Sequence, residues 1–174
     1  MPGSNDTGKK EIKEWFDETL PSRPLTVVDF GCGLGTYPKL LGKDGIRWIG
    51  VEIWAPYIEQ FGLQEWYDLL IIGDLLWVIW PQADCAIFGD VLEHLERDVA
   101  VAAMKKADDL YGHAILSVPI YNSQGRTENP YEEHKHWWEW RELQEAVPEN
   151  FKTRLKVGDH HLVPDVPQQG VFLK

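Results

Sequence analysis

The residues with the clearest chemical potential begin at Asp29, which is followed at short spacing by Gly31, Gly33 and Gly35. They close the apolar run LTVVDF, and the loop after such a strand is where an open α/β sheet binds its ligand. Glycines there let backbone approach the ligand closely. About twenty residues further on stands Glu52, where a carboxylate can accept hydrogen bonds from both hydroxyls of a ribose. Imidazole and carboxylate groups suited to acid–base work lie further along, at Glu93 and His94 and at His134 and His136. Cys32 and Cys85 form no disulfide framework and match no zinc spacing, so no metal is expected.

The elements that must position these groups follow from apolar periodicity. KKEIKEWFDETL places Ile12, Trp15, Phe16 and Leu20 at helical spacing, and Pro21 stops the helix. LTVVDFG and IRWIGVEI read as strands, with a helix from Thr36 between them and a second helix in APYIEQFG. YDLLIIGDL and DCAIFGDV are two more strands, joined by a connection that holds at most a turn or two of helix. A long helix is expected from Leu92 to Leu110, then a fifth strand in AILSVPI. YNSQGRTENPYEEHKH is irregular, WWEWRELQEAV helical, and FKTRLKVGDH and VPQQGVFLK make a closing hairpin. This alternation implies an α/β fold: a mostly parallel, seven-stranded sheet with helices on both faces and an antiparallel hairpin at the C-terminal end.

The chain has 174 residues, of which 44% are hydrophobic and 26% charged, the length and balance of one ordinary globular domain. Residues 1–8 read as a mobile tail and 9–174 as that domain. A formal charge of -11 repels a phosphate backbone, so no nucleic-acid partner is expected. No window approaches the roughly 18 apolar residues of a membrane span, and no secretory h-region is present. The expected setting is cytoplasmic.

The glycine spacing also bears on the ligand. A dinucleotide fingerprint, GxGxxG, needs its third small residue at position 36, which is Thr36. An acid, one residue and GxGxG instead resembles the first motif of the class I S-adenosylmethionine-dependent methyltransferases, a Rossmann-like family. The resemblance implies S-adenosyl-L-methionine as cofactor, with Asp29 on the methionine amino group, Gly31, Gly33 and Gly35 lining nucleoside and methionine, and Cys32 a small loop filler beside it. It also implies Glu52 on the ribose, Ile53 on the adenine face, Asp74 on the adenine amino group with Leu75 as a further cofactor contact, and Asp90 and Val91 at the methionine end. The likeness spans residues 25 to 96 and continues through AILSVPI.

The same family places acceptor contacts after the fourth and fifth strands. Candidates there are Glu93, His94, Tyr131, His136 and Trp138. The stretch from Asn129 through His134, with Trp138 and Glu142-Leu143 after it, resembles an NPYExH...W...EL subgroup of small methyltransferases, which makes His134 the preferred catalytic, acceptor-site residue, and the base if the acceptor is a hydroxyl. The bland alternative is that His134 and Trp138 pin a loop to the sheet edge. Trp137, Trp138 and Trp140 crowd one helix start, where helix packing or a homodimer contact explains them as well as a stacking site does. The expected reaction is methyl transfer to a small-molecule or sugar-like acceptor. The alternative is a non-catalytic module of the same fold that binds cofactor or a partner protein.

Overall fold

The computed structural model describes residues 7–22, 24–120, 129–156 and 168–174, without the side chains of 153–156 and 168. Most of the expected N-terminal tail, part of the irregular stretch after the fifth strand and the turn of the closing hairpin lie outside the described residues.

Helix α1 spans Lys9–Thr19 and is followed by β1 (Leu25–Phe30), α2 (Thr36–Leu41), β2 (Ile46–Glu52) and α3 (Pro56–Gln60). Then come β3 (Leu69–Ile72), β4 (Cys85–Gly89), α4 (Arg97–Leu110), β5 (His113–Ile120), α5 (Trp140–Ala146), β6 (Lys152–Lys156) and β7 (Gln168–Leu173). The strand order is β3-β2-β1-β4-β5-β7-β6. β1 to β5 run parallel, and β7 lies antiparallel to both β5 and β6. The fold is therefore α/β with a mostly parallel sheet and a C-terminal antiparallel pair.

Successive strand residues point to opposite faces, and each face has its own apolar layer. Val28, Phe30, Ala86, Phe88 and Leu116 face α4 and α5 through Ala103, Met104, Ala107 and Leu143. Val27, Trp48, Ile87 and Ile115 face the other way, against Ile12, Trp15 and Phe16 of α1 and Tyr37 and Leu41 of α2. The central strands are buried on both sides, which is why their sequences run apolar without a polar alternation.

Two segments differ from the pattern read in the sequence. The helix expected from Leu92 to Leu110 is split into a 3-10 turn, Leu92–His94, and α4. Leu95 is extended (φ -105°, ψ 150°), as is Glu96 before the helix. The break frees Glu93 and His94 from the register that α4 needs to keep Ala100, Ala103, Met104 and Ala107 on the sheet. The helix expected from Trp137 begins only at Trp140, because Trp138 is extended and bridges to Ile120 beside β5. No described helix is long and apolar enough to cross a membrane.

The end of β4 shows how tightly the layers close. A Cβ on Gly89 would lie 2.2 Å from both Cε2 and Oη of Tyr37, a buried α2 side chain whose hydroxyl accepts a hydrogen bond from Lys9 Nζ at 3.0 Å. Gly89→Ala is expected to lower the unfolding free energy in urea by about 1–3 kcal/mol, the usual consequence of overpacking. Gly112→Ala, where a Cβ meets nothing within 4 Å, is expected to change it by less than about 0.5 kcal/mol.

Candidate functional site

At the carboxyl ends of β1 to β4 the sheet opens into a cavity of about 460 Å³. Its floor is the loop after β1. Gly31 N–H and Cys32 N–H both donate to Val51 O of β2, at 2.8 and 3.2 Å, and Gly35 N–H returns to Cys32 O at 2.7 Å. This tight path needs left-handed backbone, and Gly31 (φ 68°), Gly33 (φ 44°) and Gly35 (φ 66°) supply it. Gly31 carries a second constraint, since a Cβ there would sit 2.5 Å from Cγ2 of Val91.

Asp29, Gly31, Cys32 and Gly33 reach the cavity from β1 and its loop, and Glu52 and Ile53 from the end of β2. Asp74 and Leu75 enter after β3, Asp90, Val91, Glu93 and His94 after β4, and Tyr131 and His134 from the segment beyond β5. Three candidates stand elsewhere. Gly35 caps α2 and faces Leu63 and Tyr67. His136 Nε2 lies 3.1 Å from Glu142 Oε1. Trp138 is fully buried in the core on the α5 side. Trp137 is exposed, and Trp140 stacks on Phe172 instead.

Each acid is held in a defined way. Glu52 Oε2 accepts from Gly33 N–H at 2.9 Å and Oε1 from Trp54 N–H at 2.8 Å, so this carboxylate ties the glycine loop to the end of β2. Asp74 Oδ1 accepts from Leu76 N–H at 2.8 Å, a local turn that fixes the side chain at the rim. Asp29 Oδ2 accepts from Tyr67 Oη at 2.6 Å. Asp90, at φ 55°, accepts from Gln169 Nε2 at 2.5 Å and lies 3.7 Å from Lys9 Nζ.

Burial dominates the electrostatics. It pushes the Asp29 carboxyl up to about 7, against the Tyr67 hydrogen bond and the Lys9 charge, with the nearby Glu52 adding to the rise. It raises Glu52 too, in part offset by the Trp54 and Gly33 N–H groups. Glu93 is raised well above the ordinary carboxylate range by burial and by Asp90, and burial lowers His94. The Cys32 thiol is also pushed up by burial, which keeps it protonated and makes it a neutral loop filler. The site is rich in carboxyl groups and short of positive charge.

Several residues essential to this geometry carried no sequence signal. Lys9 is a polar position of an amphipathic helix, yet it is buried against Tyr37 and Asp90. Gln169 of β7 bridges Asp90 and Ser117 Oγ (2.9 Å). Tyr57 Oη donates to Glu132 Oε1 at 2.8 Å, joining α3 to the segment after β5. All three contacts cross long sequence separations, so no local pattern announces them.

No protein-family model matches the sequence, and no curated protein matches it. Solved structures do. The chain is similar to the N-terminal domain of EvdMO1, determined in the presence of SAH and D-fucose, with 15% identity and a TM-score of 0.70 over 98% of this chain and 84% of that one. It is similar to magnesium protoporphyrin IX methyltransferase (ChlM) from Synechocystis PCC 6803 with bound SAM, at 18% identity and TM-score 0.67, covering 95% and 77%. A third similarity is to the small RNA methyltransferase HEN1, at 19% identity and TM-score 0.67, covering 100% of this chain and 26% of that one. The fold is that of the class I S-adenosylmethionine-dependent methyltransferases. Proteins of that fold with acceptors as different as a porphyrin and a small RNA stand at nearly the same distance, so the acceptor must be argued from the site.

The raised Asp29 carboxyl has a consequence for stability. The folded chain binds more protons than the unfolded one between the ordinary aspartate value and about 7, so this group's contribution to stability falls as pH rises through that window. Asp29→Asn keeps an acceptor for Tyr67 and removes the buried charge. Its unfolding midpoint at pH 8 is expected to exceed that of the wild type, with the difference disappearing by pH 4, as followed by thermal denaturation across pH.

Proposed function

We propose that the chain is an S-adenosylmethionine-dependent methyltransferase that acts on an oxygen of a small, sugar-like or aromatic acceptor. The observation that carries this reading is the convergence of Asp29, Glu52, Asp74 and Asp90, from the ends of four parallel strands, on one cavity floored by a glycine loop. Two of these carboxyls, Asp29 and Glu52, are raised by burial, and a ligand bearing an ammonium and a sulfonium adds positive charge beyond Lys9 and Lys135, which are paired with Asp90 and Glu133. In S-adenosylmethionine the sulfonium provides the electrophilic methyl group.

In this reading Glu52 accepts the two ribose hydroxyls while its bonds to Gly33 and Trp54 keep it in place. Asp29 holds the methionine ammonium above the glycine loop. Asp74 accepts from the adenine amino group, with Ile53 and Leu75 against the ring faces. Asp90 and Val91 border the methionine end. The acceptor enters between the turn after β4 and the segment carrying Tyr131 and His134, and its proton is lost on the side of His94 and His134. Holding the acceptor oxygen in line with the methyl group, away from water, supplies most of the rate. The similarities to the EvdMO1 domain determined in the presence of D-fucose and to an O-methyltransferase family 2 protein from Planctomyces limnophilus in complex with apigenin (15% identity, TM-score 0.59) support a hydroxyl-bearing small molecule in that role. The net charge of -11 argues against a polyanionic acceptor.

The activity test is release of S-adenosylhomocysteine from S-adenosylmethionine in the presence of pooled hydroxylated metabolites. Acceptor-dependent release supports an enzyme, and cofactor binding without release supports the non-catalytic module. Glu52→Gln can keep only one of the two backbone bonds and loses its charge. At about 1.5–3 kcal/mol for a hydrogen bond to a charged group, calorimetry is expected to show at least about tenfold weaker S-adenosylmethionine binding. Unchanged affinity in a folded variant removes Glu52 from the cofactor site.

A further inference from the structure

Beside the acceptor side of the cavity, Glu93, His94 and His134 each present one ligand atom within 4.8 Å of the others. Glu93 is 2% exposed, lines the cavity, and has a buried Oε2 without any hydrogen-bond partner. A buried carboxyl oxygen left without a partner is costly, whether the group is protonated or ionised, unless a ligand meets it. The nearby cation, Lys9, is already engaged by Tyr37 and Asp90.

The histidines are arranged for coordination. His94 Nδ1 faces Glu133 O at 3.4 Å, which leaves Nε2 directed at Glu93 Oε1, 3.8 Å away. A ring nitrogen tied to a backbone carbonyl leaves the other as a fixed lone pair, the usual state of a metal-bound imidazole. His134 stands edge-on to His94, with ring centroids 5.0 Å apart. The two segments are locked together, since Lys135 N–H and His136 N–H both donate to Glu93 O at 2.9 and 3.1 Å. With bonds of about 2.0–2.2 Å, ligand atoms around a tetrahedral ion stand about 3.3–3.6 Å apart, within reach of small side-chain rotations.

We propose that Glu93, His94 and His134 form a divalent-cation site that holds the acceptor oxygen. Two imidazoles and one carboxylate suit zinc, iron(II), cobalt(II) or manganese(II) rather than calcium or magnesium. The cation site stands on this geometry, and its role in catalysis rests on the methyl-transfer reading above. His134 then serves as a ligand and not as the base. The cation binds the acceptor hydroxyl and lowers its pKa, and the proton passes to solvent water. The oxygen lone pair forms the new C–O bond as the C–S bond breaks, its electron pair staying on sulfur.

The test is titration of the metal-free protein with cobalt(II), followed by visible absorption and calorimetry, with S-adenosylmethionine titrated separately into the same preparation. The expected result is one cobalt per chain, with affinity weakened at least about tenfold in both Glu93→Gln and His134→Ala. Circular dichroism and the thermal midpoint check folding without metal. If Glu93→Gln does not fold, the half-buried His134 carries the comparison. No binding by the wild type at millimolar cobalt, or equal affinity in a folded His134→Ala, overturns the site. Cofactor binding without cobalt binding refutes this inference alone, whereas cobalt binding without cofactor binding refutes the methyltransferase reading alone.

Discussion

The parallel registers of the central strands set the level at which everything else happens. Phe30 pairs with Val51 on one side and Phe88 on the other, so β1, β2 and β4 end together. Asp29 stands one residue before that common level, and Glu52 and Gly89 one residue beyond it, so the acids flank the point where the chain must reverse direction within a few residues. Glu52 secures that reversal by gripping the Gly33 N–H across from its own strand. If that carboxylate were lost, the glycine loop would keep its bonds to Val51 O but not its lateral tie.

The arrangement concentrates acidic groups where solvent cannot reach them. Asp29, Glu52 and Glu93 are all at most 5% exposed, and burial shifts all three upward. A folded chain gains nothing from such a cluster by itself, because buried charge without a partner opposes folding. Binding sites commonly hold strain of this kind, which a ligand of opposite charge relieves. Tyr67 on Asp29, and Lys9 and Gln169 on Asp90, reduce the burden without removing it.

What the sequence revealed and what it concealed divide along range of contact. Apolar runs such as LTVVDF and CAIFG are local signals, and the glycines after Asp29 mark a backbone path that only glycine follows easily. The acids at the strand ends could be placed once the strands were drawn. Lys9, Tyr67 and Gln169 meet the site only through tertiary packing, and their identities fit an ordinary helix, loop or strand. The extended Leu95 was hidden because Leu92, Leu95 and Val99 keep helical spacing across the break. Trp138 and His136 sat in an aromatic, polar stretch that read equally well as acceptor contact or anchor. In the fold Trp138 belongs to the core and His136 pairs with Glu142.

We propose that the loops after β1, β2, β3 and β4 form one site for S-adenosylmethionine. Amide hydrogen exchange with and without that ligand tests it directly, because amides that exchange by local opening gain protection only where a ligand orders or covers backbone. Among amides that exchange by local opening, increased protection is expected to be confined to residues 31–35, 52–55, 74–76 and 89–94. Local protection centred elsewhere, or none at saturating ligand, would contradict it.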